Sequence, residues 1–441
     1  MENALPHDRA LARSAMTKAL WRIVPLILLA YLFAYMDRVN VSFAALQMND
    51  DLKFSAAIYG LGGGLFFLGY ALFEVPSNLL LVRYGARKWI ARIMITWGLL
   101  AAAMMFVRTP VQFYAVRFLL GVAEAGFYPG VIFYFSGWFP AGWRGRAVSL
   151  FYVASPLAAV VMGSISGKLL ALDGHGGLAG WQWLFLVQGL PAVLVGLLVL
   201  GLLPDKPRGV SWLSDAEKDW VEGELAREAA IIGEPERHNV FAAFANRLVL
   251  MLGLIGFLFM GAVVTLNLSA PKILVETGGF DGGHAGYLVA IGGLMGAAVM
   301  LAAGWYCDRH GDRLRDAAIG AVVIAIGLAA MGLAHTPQLL TFGYLVFAAT
   351  CFGVAMLTSS VWADLIHPRQ LAVGAAAVNT ICQIGAFVMP TLFGKARDVS
   401  GSYQPGILAL AVAMLVTSGL MLALRVRVMA RRRERLVALV V

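Results

Sequence analysis

Long apolar runs alternate with short polar stretches along almost the whole chain. They fall near residues 20–46, 56–81, 89–107, 111–136, 147–171, 181–203, 248–274, 284–307, 316–335, 338–363, 370–394 and 404–427. At about 1.5 Å rise per residue, about 20 helical residues cross a hydrocarbon core of about 30 Å. The pattern predicts an all-α membrane protein with twelve transmembrane helices. Six lie on each side of a polar stretch, Pro204 to Asn246, which carries Asp205, Lys206, Arg208, Asp215, Glu217, Lys218, Asp219, Glu222 and Glu224. That stretch is too polar for lipid and reads as a cytoplasmic linker. Within it, Ser214 is placed to cap a helix, with Glu217 as its third residue. The predicted units are an N-terminal tail (1–19), a six-helix bundle (20–203), the linker (204–246), a second bundle (247–427) and a basic tail (428–441).

The halves repeat. Arg83, Gly85 and Arg87 follow the second run; Arg309, Gly311 and Arg313, each 226 positions later, follow the eighth. Pro140 and Pro368 precede runs five and eleven, and Gly167-Lys168 and Gly394-Lys395 close them. Matches at nearly one offset indicate duplication of a six-helix unit, with pseudo-symmetric halves around a site near mid-membrane.

Composition agrees: 60% of residues are hydrophobic, 13% charged, and the mean hydropathy is +0.78. The net charge of +9 would suggest nucleic acid in a soluble protein, but here the placement of charge decides. Of 34 Lys and Arg, only Lys53, Arg108, Lys168, Lys272, Lys395 and Arg397 fall on the predicted outer side, and Arg38 and Arg117 lie inside spans. The rest gather in inner loops and tails, which puts both termini in the cytoplasm. The basic tail then needs only lipid headgroups as partner, and no nucleic acid. The first run lacks a small-residue cleavage site and reads as a retained helix. Three scattered cysteines, Cys307, Cys351 and Cys382, give no disulfide framework or zinc spacing. No GxxxxGK[ST], GxSxG or HExxH occurs, so neither an ATP-driven pump nor an enzyme is indicated, and no cofactor or metal is expected. Gly60 with Gly64, and Gly292 with Gly296, read as close helix contacts.

Ionisable groups inside apolar runs carry the candidate chemistry. Arg117 and Glu124 sit in VRFLLGVAEAG, two turns apart on one face, and Asp37 and Arg38 interrupt YLFAYMDRVNVSF. A charge at membrane depth costs about 2.5–3.5 kcal/mol or more, so such groups face a protein-lined interior and mark a substrate or proton path. Asp37 and Glu124 are the candidate proton carriers, since burial and a nearby arginine oppose each other on a carboxyl group. Arg117 is the candidate carboxylate anchor because its planar fork matches a carboxylate and stays charged. Arg38 is a second anchor or a gate, and Tyr70 offers a hydroxyl. Glu74, one turn further, is expected to pair with loop arginines. In the second half, Asn379 and Gln383 share a face of run eleven, and Thr358 and Ser359 lie in run ten. The basic glycine turns, Arg83, Gly85, Arg87 and Lys88 in one half and Asp308, Arg309, Gly311 and Arg313 in the other, are candidate gating latches on the inner side.

These residues bring the chain close to a known family. The segments Tyr35–Asn40, Phe73–Asn78, Gly85–Arg92, Arg117–Gly126 and Gly180–Phe185 resemble the Major Facilitator Superfamily, and within it the anion:cation symporter branch. The resemblance implies a proton-driven symporter of tartrate, galactonate, phthalate or similar carboxylates, a monomer in the bacterial inner membrane with no cofactor. It implies proton coupling at Asp37 and Glu124, charge partners at Arg38 and Arg117, cavity tyrosines at Tyr35 and Tyr70, and a second-half asparagine at Asn379. This chain departs from the pattern at Thr358-Ser359, at Leu268-Ser269-Ala270 and at Gln383, where relatives are more aromatic or carry asparagine. The less aromatic wall favours a small hydroxylated acid. An aromatic carboxylate symporter, a drug:proton antiporter and a transport-inactive sensor stand as alternatives.

Overall fold

The computed structural model describes residues 6–232, 244–366 and 371–438. Pro368 of the repeat and the side chain of Asp308 lie outside the described residues. Among the described residues, twelve helices are long and apolar enough to cross a membrane. Lipid offers no partner for a backbone amide, so each apolar run closes its own hydrogen bonds as a helix.

The first half is built from α1 (Pro6–Asp51), α2 (Ala56–Tyr84), α3 (Ala86–Ala103), α4 (Pro110–Glu124), α5 (Phe127–Ser136), α6 (Ala141–Tyr152), α7 (Ala154–Leu170) and α8 (Gly180–Leu202). The linker contributes α9 (Asp215–Ile232). The second half holds α10 (Arg247–Glu276), α11 (Gly282–His310), α12 (Arg313–Gly332), α13 (Pro337–Leu365), α14 (Leu371–Ser400) and α15 (Gln404–Ala438). The fourth and fifth spans are each interrupted, as α4–α5 and α6–α7.

Polar side chains fix where helices begin. Ser55 accepts from the Ile58 amide, Thr336 from Leu339, and Thr109 forms a capping box with Gln112. The duplicated glycines end corresponding helices: Gly85 after α2 (φ 89°) and Gly311 after α11 (φ 73°), both in the positive-φ region that favours glycine.

An even number of spans puts both chain ends on one face, here the terminal face. At the opposite face the two halves are pressed together. Gly60 and Gly64 let α2 approach Pro390 and Phe387 of α14, and Gly163 of α7 faces Gly286 of α11. Gly292 and Gly296 perform the same service within the second half, against α13. Asp398 of α14 accepts from the Ala56 and Ala57 amides at 3.0 and 2.9 Å, satisfying the start of α2 from the other half. Lys272 reaches Asp50 at 3.8 Å, and the Tyr59 hydroxyl donates to the Leu268 carbonyl at 2.9 Å.

The linker belongs to the first half. The Glu217 amide and Ser214 Oγ, and the Ser214 amide and Glu217 carboxylate, bond reciprocally at 3.3 and 2.8 Å, the capping box expected from the sequence. The same carboxylate accepts from Lys18 at 2.7 Å and Ser14 at 2.6 Å on α1. Arg144 bridges to Glu228 at 2.8 Å, Arg87 to Asp205 at 3.2 Å, and Trp212 stacks on Trp138. Burial pushes the Glu217 carboxyl up, but the bonds from Lys18, Ser14 and Ser214 outweigh it and hold it at about 2. A depressed pKa means the stabilisation is complete above the free value of about 4.3. It is lost as pH falls through about 2. Glu217→Gln is expected to weaken linker docking by about 1–2 kcal/mol, read as faster proteolysis between residues 204 and 246 at neutral pH. Equal cleavage rates would contradict the docking.

Candidate functional site

Asp37 and Arg38 are neighbours on α1, so their side chains leave the helix about 100° apart. Asp37 turns toward α3, where Trp97 Nε1 donates to its Oδ2 at 3.1 Å. Arg38 turns toward α4 and meets Glu124: its Nε donates to Oε1 at 3.0 Å, and Nη2 bonds the same oxygen. Both carboxylates lie about 20 Å along their helices from the opposite face, counted at 1.5 Å per residue from Asp51 and Pro110. Asp37, Arg117 and Glu124 are 2%, 2% and 1% exposed, whereas the Arg38 side chain is 21% exposed.

Aromatic rings fill the space around the guanidinium groups. Arg38 lies 5.2 Å from the Tyr35 ring centre and 5.6 Å from those of Phe66 and Tyr70. Arg117 lies 4.9 Å from Phe66, so one ring attracts two cations. The Arg117 Nε donates to the Gly62 carbonyl at 3.4 Å, and its charge attracts Asp37. Among the described residues, the Arg117 terminal nitrogens have no hydrogen-bond acceptor. Oε2 of Glu124 is also unpartnered there.

The break after α4 follows directly from local sequence. Gly126 takes φ 85°, which ends the helix two residues after Glu124. A side chain at Gly126 would strike Ser77 of α2.

On the other side of the site, Asn379 of α14 donates from Nδ2 to both oxygens of Glu74 at 2.9 and 2.8 Å. The expectation that Glu74 pairs with loop arginines is thereby overturned. It is 6% exposed, one turn beyond Tyr70, and bound to the opposite half. A contact between the halves leaves no periodic trace, and Glu74 was legible only as a carboxylate in an apolar run. Trp97 and Phe66 were also missed, because tryptophan and phenylalanine in a lipid-facing sequence carry no mark of a polar role.

The structure thus gathers Tyr35, Arg38, Tyr70 and Glu124, places Asp37 and Arg117 beside them, and attaches Asn379 through Glu74. Gln383 is buried one turn from Asn379. Thr358 and Ser359 donate to their own helix, to Val354 and Ala355 carbonyls at 2.7 and 2.9 Å, which leaves only oxygen lone pairs for a ligand. At the terminal face, Arg83 lies over Tyr84, Arg87 reaches Asp205 of the linker, Arg309 lies over Trp305, and Lys88 is exposed. Gly85 and Gly311 turn the chain there. A hollow of about 160 Å³ lies between the halves at the opposite face, lined by Tyr59, Lys272, Pro390, Arg397 and Asp398. It is not the ionic site, since none of Asp37, Arg38, Arg117 or Glu124 lines it.

Comparison with known proteins agrees with this architecture. The family model described as Major Facilitator Superfamily matches residues 27–390. The chain belongs to the Major Facilitator Superfamily. It is 41% identical over 402 residues to an Agrobacterium vitis protein named for tartrate transport, covering 90% of this chain and 91% of that one. It is 37% identical over 398 residues to a quinolone resistance transporter of Acinetobacter baumannii, covering 90% and 91%. The crystal structure of a bacterial homologue of the human lysosomal transporter Spinster, inward-facing, superposes with a TM-score of 0.72 over 95% of this chain and 97% of that one. At 16% identity that likeness speaks for the fold alone. This member of the superfamily is a multi-pass membrane transporter.

Removing one partner of a buried ion pair strands the other charge. Arg38→Ala is expected to cost about 3–5 kcal/mol, read as a lower thermal unfolding midpoint in detergent. Arg38→Ala with Glu124→Gln should recover most of the loss, because no bare carboxylate remains. A single and a double variant melting together would show that Glu124 does not depend on Arg38.

Proposed function

We propose that this protein imports a small hydroxylated or dicarboxylic acid of the tartrate class, together with protons, across the bacterial inner membrane by alternating access. The observation that carries the reading is the charge balance of the buried cluster. Two arginines, Arg38 and Arg117, face two carboxylates, Asp37 and Glu124. A neutral set in a low-dielectric interior cannot accept a carboxylate without creating a net buried charge. One proton per carboxylate of the anion, taken up by Asp37 and Glu124, restores the balance and frees the arginines for the anion. Arg117, with terminal donors unused among the described residues, is the anchor. The similarity to a protein named for tartrate transport supports the substrate class.

The packing supports the following cycle. With the opposite face open to the periplasm, the carboxylates take protons and the anion binds Arg117. The halves then close there, as α2 meets α14 and α7 meets α11, and the cargo leaves at the terminal face into the cytoplasm. The paired glycine turns around Arg83–Lys88 and Asp308–Arg313 act as latches that rejoin when the terminal face closes. No nucleotide or cofactor enters; the proton gradient is the driving force, and one chain suffices as a monomer.

The likeness to a quinolone resistance transporter favours one other reading, export of a drug against protons. Two arginines in the cluster oppose a cationic cargo, and export by antiport requires protons and cargo to move in opposite directions.

The test is uptake of labelled L-tartrate into proteoliposomes. Glu124→Gln should abolish accumulation driven by an inward proton gradient while tartrate exchange persists. Arg117→Lys should weaken tartrate binding about tenfold or more, since an ammonium offers no planar fork. Accumulation by the Gln variant would remove Glu124 as a coupling group, and unchanged affinity in the Lys variant would remove Arg117 as the anchor.

A further inference from the structure

The contact between Glu74 and Asn379 has a chemistry of its own. An asparagine side chain has two N–H donors on one nitrogen, and here that nitrogen is within hydrogen-bond reach of both oxygens of one carboxylate. Glu74 is 6% exposed, and among the described residues no lysine, arginine or histidine forms an ion pair with it. The charged and titratable groups that act on it are Arg38 from α1, Tyr70 from α2 and Cys382 from α14. Arg38 is already committed to Glu124. A buried carboxylate held by a neutral amide alone bears most of the cost of its charge.

Resting on the organic-anion reading above, we infer that Glu74 and Asn379 form a proton-controlled donor for the substrate carboxylate. With Glu74 ionised, the Asn379 amide is occupied and the approach carries an extra negative charge. A proton from the side open to solvent binds one Glu74 oxygen. The neutral acid is a poorer acceptor and repels nothing, so the amide turns to the arriving anion and makes a charge-assisted bond. When the anion leaves, Glu74 releases the proton and recaptures Asn379. Because the two residues sit on α2 and α14, the exchange also loosens a contact between the halves only when cargo is aboard. Glu74 thus adds a third proton-binding carboxylate to Asp37 and Glu124.

The experiment measures L-tartrate binding to the full-length protein in nanodiscs by calorimetry between about pH 6 and 8, where tartrate stays fully ionised. Proton uptake per bound tartrate comes from buffers of differing ionisation enthalpy. Glu74→Gln, a mimic of the protonated state, should take up about one proton fewer than wild type and bind well across the whole range. Glu74→Asp keeps an ionisable group and should keep the proton. Asn379→Ala should bind about tenfold more weakly at the acid end and also lose about one proton, which tests the inference even if the Gln variant does not fold. A Gln or Ala variant with the wild-type proton count would overturn the inference and leave the transport reading intact. A wild type that binds no tartrate would overturn the organic-anion reading, and this inference with it.

Discussion

Ionised groups placed inside a membrane protein must find each other, and the Arg38–Glu124 pair is where this chain meets that demand. A bare guanidinium or carboxylate at that depth would cost more than any one helix contact returns. The pairing therefore fixes the rotation of α1 against α4, and Asp37 on the adjacent position is driven to Trp97 on α3. Three helices are oriented by two neighbouring residues. The break at Gly126 and the tight approach of α4 to α2 at Gly121 bring the pair beside Phe66, whose ring attracts both Arg38 and Arg117.

The same constraint makes the cluster useful. The charges of its two arginines and two carboxylates cancel, so on the proposed reading an anion enters at least charge cost together with one proton per carboxylate. Coupling then needs no moving lever at the ions themselves. The proposed cycle adds only two halves that alternately open the cluster to each side, and the contacts at the opposite face suit that proposal. Asp398 capping the first amides of α2 is a polar contact that separation breaks cleanly and closure restores. The linker helix is bound to α1 of the first half through Glu217 and Lys18.

Much of this was legible in the sequence because lipid simplifies the rules. Twelve apolar runs become helices, since nothing else satisfies the backbone there. The intramembrane charges announced themselves by type alone. Ser214 and Glu217 showed their capping box by spacing. What stayed hidden was tertiary. Asp37 and Glu124 could be read as carboxylates at similar depth, but not that Trp97 would serve one and Arg38 the other. The nearest cations to Glu74 in sequence lie in the loops, while its partner Asn379 is 305 positions away. The hydroxyl protons of Thr358 and Ser359 go to their own helix, which a sequence does not display, and their oxygen lone pairs remain.

Under the proposed transport cycle, anion and protons move as one cargo. The most direct measurement adds L-tartrate to wild-type proteoliposomes in weak buffer, without an imposed gradient, and follows lumenal pH with a trapped dye. The expected result is acidification of the lumen as tartrate enters. Tartrate entry with a constant lumenal pH, or with alkalinisation, would contradict it.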